Sequence, residues 1–241
     1  MKLYYDMHIH SCLSPCADND MTPADIAGIG ALNNLSVMAL TDHNSCENCP
    51  AFFKACEFYG ITPIAGMELT TAEDIHIICL FRSLTSAMSF SDHIYNRIMP
   101  IINKPEIFGD QIVADTDGNT VKTIDKLLIS ATDIILEELP GIVAEYNGIC
   151  YPAHIDRESN GIIAILGDIP PEPGFVCAEL HDSSKTEEYR RLYPVTEKFR
   201  FISSSDAHRL QDINTDINYF EIPEKNDLTV TDAIFSLLTH G

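Results

Sequence analysis

The stretch Leu3-Tyr4-Tyr5-Asp6-Met7-His8-Ile9-His10 alternates in character along its length. Leu3, Tyr5, Met7 and Ile9 fall on one side of an extended chain, and Tyr4, Asp6, His8 and His10 on the other, the period of a β-strand. One face is therefore polar. Two imidazoles project from it at successive same-face positions, where both can grip one metal ion at the strand end.

Working outward, a loop rich in Ser, Pro, Cys and Asp follows, and Thr22-Pro23 then opens a helix to about residue 33. The threonine side chain caps the first turn, and proline at the first helical position gives up an N–H that has no intrahelical partner anyway. Val37-Met38-Ala39-Leu40-Thr41 is an apolar run suited to a buried parallel strand, ended by Asp42-His43-Asn44. A helix over 51–59 closes at Gly60, and 61–69 and 75–81 read as the next two strands. This rhythm predicts an α/β fold with a parallel sheet. It breaks over about 83–146, where patterns at 91–102 and 124–139 predict a mostly helical insertion. Strand signals resume at 148–153, 175–180 and 200–204, and a last helix is expected over 231–239. No convincing linker divides the chain, so residues 1–241 are expected to form a single domain.

Six of the nine histidines fall on these strands or just past their ends: His8, His10, His43, His76, His154 and His208. Glu68, in Gly66-Met67-Glu68-Leu69, and Asp206 occupy equivalent places. Strand C-terminal ends are where α/β barrels carry their sites, so the joint pattern points to a metal centre. Taken singly, His76 between Ile75 and Ile77 would read as a packed core residue. His93 and His240 match no pattern, while His181 can look into the same mouth.

With those residues in place, the chain resembles the polymerase and histidinol phosphatase (PHP) family of metal-dependent phosphoesterases. The resemblance is carried in order by Asp6-Met7-His8-Ile9-His10-Ser11, Leu40-Thr41-Asp42-His43, Gly66-Met67-Glu68, Pro152-Ala153-His154-Ile155-Asp156-Arg157 and Ser205-Asp206-Ala207-His208. It implies a distorted (β/α)7 barrel and two or three divalent ions. His8, His10, Glu68 and Asp206 would take one ion, and Glu68, His76 and His154 a second. His43 and His208 would take a third, completed by Cys16 or Asp18 from the loop after the first strand. The expected activity is hydrolysis of phosphate esters of a small molecule by a metal-bridged hydroxide. Glu68 and Asp206 would act in the centre, and Arg157 would clamp phosphate. Mixed imidazole and carboxylate shells suit Mn, Fe or Zn better than Mg. The alternatives are an oligonucleotide phosphodiesterase or nuclease, and a catalytically silent metal-binding regulatory module.

The formal net charge of −21 repels phosphate backbones and anionic lipid, so the expected partner is a small phosphorylated substrate, with no long nucleic acid and no membrane. No run reaches the roughly 18 apolar residues of a membrane span and no export signal opens the chain, so a cytoplasmic location with reduced thiols is expected. Cys12, Cys16, Cys46 and Cys49 follow the first two strands and, in one reading, make a separate zinc clamp; in the other they are unconnected thiols. Cys56, Cys79, Cys150 and Cys177 read as small buried apolar residues.

Overall fold

In the computed structural model, which describes residues 1–223 and 228–239, ten strands and eight helices alternate for the first third of the chain. They are β1 (Lys2–Asp6), α1 (Pro23–Leu32), β2 (Val37–Leu40), α2 (Cys49–Tyr59), β3 (Thr62–Thr70), β4 (His76–Phe81), α3 (Leu84–Tyr95), α4 (Pro105–Phe108), β5 (Ile112–Ala114), β6 (Thr120–Thr123), α5 (Leu139–Glu145), β7 (Gly148–Pro152), α6 (Ile162–Leu166), β8 (Cys177–Glu179), α7 (Thr186–Leu192), β9 (Arg200–Ile202), β10 (Tyr219–Glu221) and α8 (Val230–Thr239). The Thr22 hydroxyl accepts from Asp25 N at the start of α1, and Gly60 ends α2 in the left-handed region at φ 72°.

A curled sheet of six strands runs in the order β10-β1-β2-β3-β4-β7, and β8 and β9 form a separate parallel pair. The α/β fold is as expected, but the sheet is not parallel throughout. β4 is antiparallel to both β3 and β7, because only residues 71–75 separate β3 from β4, too few for a crossover helix. The Thr71 N–H donates to Ile75 O at 2.9 Å and makes that reversal tight. The β8–β9 pair is tied to both flanks: Ile155 N donates to Glu179 O at 2.9 Å, and His10 N to Ala207 O at 2.9 Å.

Two apolar layers result. Outside the curl, Met38, Leu40, Met67 and Ile77 pack with Ile26 of α1, Phe52 of α2 and Phe90 of α3. Inside it, Val37, Ala39, Ile64, Ile78, Tyr151 and Ile202 meet Ile234, Phe235 and Leu238 of α8. Each large side chain of α8 buried there contributes about 1.5–3 kcal/mol. At the helix start, Thr229 Oγ1 accepts from Asp232 N at 3.1 Å. Among the described residues no helix is long and apolar enough to cross a membrane.

The segment 83–146 is less helical than expected. A helix lies at Leu84–Tyr95 rather than 91–102, a hairpin of β5 and β6 occupies its middle, and 124–139 is irregular up to the start of α5. Side-chain amides explain this. Gln111 Nε2 donates to the carbonyls of Ile124 and Lys126 (2.6 and 2.9 Å), and its Oε1 accepts from Leu128 N at 2.7 Å. Asn44 Nδ2 donates to Leu128 O and Ser130 O at 2.7 and 2.9 Å. Backbone groups that a helix would pair internally are thus satisfied from outside.

Candidate metal centre

Strand parity delivers most of the cluster. Glu68 shares the face of Ile64 on β3, His76 that of Ile78 on β4, and His43 continues the face of Val37 and Ala39 beyond β2. These side chains therefore stand above the inner apolar layer. His8 and His10 arrive differently. Leu3, Tyr5 and Met7 belong to the inner layer and Ile9 to the outer, so the alternation expected across 3–9 holds to Met7 and fails beyond it, just past the end of β1. Asp6 pins the bend, its carboxylate accepting from Ser205 N and Asn214 N at 3.0 Å each. Burial pushes its carboxyl up to about 6 against those hydrogen bonds. His154 and Asp206 sit in the left-handed region at φ 26° and 52°, backbone strain of the kind found at functional sites.

The side chains converge on Glu68, which is 1% exposed. Its Oε1 lies 2.9 Å from His76 Nδ1, 3.1 Å from His154 Nε2 and 3.4 Å from His8 Nε2. Its Oε2 lies 3.1 Å from His43 Nδ1 and 3.3 Å from His10 Nε2. Asp206 Oδ1 is 3.2 Å from Nε2 of both His8 and His10 and 3.6 Å from His208 Nδ1. Three groups have ligand atoms mutually within 4.8 Å: His8, His10, Glu68 and Asp206; His43, Glu68 and His76; and His10, His43 and His208.

The donor set fits divalent metal. Asp206 Oδ1 and His43 Nδ1 are buried and have neighbours at ion-pair distance, yet neither makes a hydrogen bond. Such atoms aim at shared points between the side chains rather than at one another. The electrostatics agree. Burial alone would raise Glu68, but His76, His8 and His43 hold it well below the usual carboxylate range. Asp206 is likewise held low, by His8 and His10 against its burial. Burial opposes charge on His10, but Asp206 and Glu68 raise it to about 9. Burial and the neighbouring imidazoles push His43 well below its ordinary value, and His208 is lowered to about 4 by burial and His10. Without metal, protons therefore occupy only part of the cluster.

The extra ligands anticipated from the sequence stand apart. Neither Cys16 nor Asp18 joins any of the three groups. The Asp18 carboxylate is 55% exposed and 3.6 Å from Arg209 Nε. Cys16 reaches solvent at the rim, yet crowding strips water from its Sγ, and with the charge of Glu68 this pushes the thiol up to about 12. No four-cysteine clamp forms among the described residues: Cys46 Sγ donates to Gly66 O at 3.1 Å and Cys12 Sγ to Ile112 O at 3.6 Å. Arg157 stands at the mouth, 35% exposed, paired with Asp206 Oδ2 and 3.1 Å from His181 Nδ1. His240 lies outside the described residues.

Glu179 was not anticipated. It ends β8 on the interior face beside Cys177, 1% exposed, and accepts from His8 Nδ1 at 2.9 Å. The available signal was an acidic residue closing a short apolar strand, the same placement as Glu68. Asp42 is a second such residue, accepting from Ser11 N, Ser11 Oγ and Ser14 Oγ at 2.6–2.8 Å.

A family model described as PHP domain matches residues 6–192. The error-prone DNA polymerase of Symbiobacterium thermophilum is 32% identical over 77 residues, which are 32% of this chain and 7% of the polymerase. The lesion-specific endonuclease PfuEndoQ from Pyrococcus furiosus superposes with a TM-score of 0.71 at 18% identity, over 99% of this chain and 56% of that one. Endonuclease Q in complex with a 27-mer duplex substrate, with an abasic lesion at the active site, gives 0.67 at 16% identity, over 98% and 57%. This chain thus spans little more than half the length of the endonuclease chains and a small part of the polymerase. At these identities the structures share its fold. The expectation of no long nucleic acid is corrected by the second of them, a protein that shares this fold and is solved with a duplex substrate. A net charge averages over the whole surface and does not report the field at one mouth, which bound cations can invert.

Proposed function

The chain belongs to the PHP domain family, and on that premise we propose that it is a metal-dependent phosphoesterase. The observation that carries this reading is one buried carboxylate, Glu68, with five imidazole nitrogens at 2.9–3.4 Å. When bound, two or three divalent ions supply Lewis acidity to the phosphoryl group and lower the pKa of an attacking water. His8, His10, Glu68 and Asp206 would hold one ion, Glu68, His76 and His154 a second, and His43 with His208 a third. Glu68 offers an oxygen to two groups and so sets the distance between them. The apolar layer beneath excludes water from below, which strengthens every charge interaction in the centre. Arg157, at the mouth, would neutralise a phosphate oxygen from the solvent side. In this proposal 83–146 belongs to the same domain, with Asn48 Nδ2 donating to Ile112 O at 3.0 Å.

Two substrate classes follow. A small-molecule phosphate ester is one. A phosphodiester in DNA is the other, supported by the superposition of Endonuclease Q on 98–99% of this chain. The test is elemental analysis of protein purified without added metal, followed by turnover of p-nitrophenyl phosphate, its bis ester and a duplex with an abasic site. Cleavage of the monoester alone selects the first class, and cleavage of the bis ester and duplex the second. Metal without turnover leaves a silent binding module, and a chain that takes up no metal refutes the proposal.

A further inference from the structure

Glu179 touches two residues of the centre, His8 at its side chain and His154 at its backbone, without belonging to any of its ligand groups. Its Oε1 accepts from His8 Nδ1 at 2.9 Å and from the backbone N–H of His154 at 3.2 Å. Its carbonyl accepts from Ile155 N at 2.9 Å. The last residue of β8 is thus tied to the chain that leaves β7 through both its side chain and its backbone.

We propose that Glu179 is a positioning residue of the metal centre, fixing the tautomer of His8 and the backbone of His154 through one carboxylate oxygen. The inference rests on the metal-centre part of the functional reading and is independent of the substrate. The same Oε1 already accepts the His154 N–H, so it is the acceptor of the 2.9 Å contact and His8 Nδ1 is the donor. With Nδ1 engaged, Nε2 is the nitrogen that would be offered to a metal held beside Glu68 and Asp206. A carboxylate behind a ligating imidazole also makes that imidazole a stronger ligand. His10 is built differently. Its Nδ1 meets Ser14 Oγ at 2.9 Å, and that hydroxyl donates to Asp42 Oδ1 at 2.8 Å. The anion behind His10 is one hydroxyl removed, whereas His8 has its anion in direct contact.

His154 is the second residue that Glu179 holds. Its φ of 26° is strained for a residue with a side chain, and the hydrogen bond from its N–H to Glu179 holds it there. Its ring stacks with that of His8 at 6.0 Å between centroids. One oxygen therefore sets both imidazoles, and through them two different ligand positions around Glu68.

The test uses the full chain loaded with zinc, which is diamagnetic. Zinc affinity is measured by competition with a chromophoric chelator, and the His8 tautomer by long-range proton–nitrogen NMR. Glu179→Gln keeps an acceptor oxygen but loses the charge, and Glu179→Ala loses both. Both are expected to weaken zinc binding by about 10–100-fold, the alanine more, and to blur the single Nδ1–H pattern of His8. Unchanged zinc affinity and an unchanged tautomer in both variants would overturn the proposal. Should both fail to fold, Glu179→Asp keeps the charge at shorter reach. It is expected to fold and bind zinc more weakly, and wild-type affinity there would also overturn the proposal. A wild-type chain that binds no zinc would instead bring down the metal-centre reading itself.

Discussion

Glu68→Gln removes one negative charge and almost no volume from the middle of the cluster. The carboxylate is buried, with five imidazole nitrogens within 3.4 Å. Two of those imidazoles, His8 and His10, are raised above their ordinary values, in part by Glu68 itself. The amide leaves them without a central counter-ion when metal is absent, and leaves metal without its shared anion when present. Breaking a buried charge pair from one side costs about 3–5 kcal/mol. At about 1.4 kcal/mol per factor of ten, that is roughly a hundredfold to several-thousandfold loss in metal affinity. The assay is metal per chain after dialysis, with turnover and a thermal melt on the same sample. Substoichiometric metal, near-abolished turnover and a lowered Tm are expected. A variant that kept a full metal complement and wild-type turnover would refute the central role given to Glu68.

Arg157→Ala should lower kcat/KM on the true substrate by an amount equivalent to about 1.5–3 kcal/mol, the worth of a charged hydrogen bond, with metal content unchanged; an unaltered kcat/KM would remove Arg157 from the site. Cys16→Ser should leave metal content at the wild-type level, because the thiol lies outside all three ligand groups, whereas His208→Ala should lower it; loss of an ion from the serine variant would restore Cys16 as a ligand. Gly109→Ala should cost about 1–3 kcal/mol, visible as a lower Tm. The residue sits at φ 99°, and an added Cβ would lie 2.0 Å from Pro15 O. An unchanged melt would mean the loop bearing Cys16 yields freely.

How much was legible in the sequence depends on how each residue reaches its place. Glu68, His43 and His76 ride on strands whose period of two assigns their face, so the alternation of Ile64 and Ile78 announces them. His8 and His10 could be read as a pair, but their turn inward beyond Met7 depends on Ser205 and Asn214, two hundred residues away. The helical pattern at 124–139 misled because Gln111 and Asn44 compete for its backbone, and no local rule reveals an amide arriving from another segment. The reversal of β4 was hidden for a similar reason: five residues between strands state how short the connection is only once both boundaries are known. Glu179 carries no motif, and its meaning appears only with His8 in front of it.

The ligand groups differ in how far along the chain they reach. His43, Glu68 and His76 come from one stretch of β2, β3 and β4, whereas His8 and His10 meet Asp206 only after β9 has been laid down. During synthesis, which proceeds from the N-terminus, the nascent chain gathers the first trio early, while His8 and His10 wait for Asp206, some two hundred residues behind them. Completion of the pocket therefore follows the first trio by the synthesis of well over a hundred residues. A ribosome stalled short of residue 206 would display a half-built coordination shell open to whichever ion the surroundings supply.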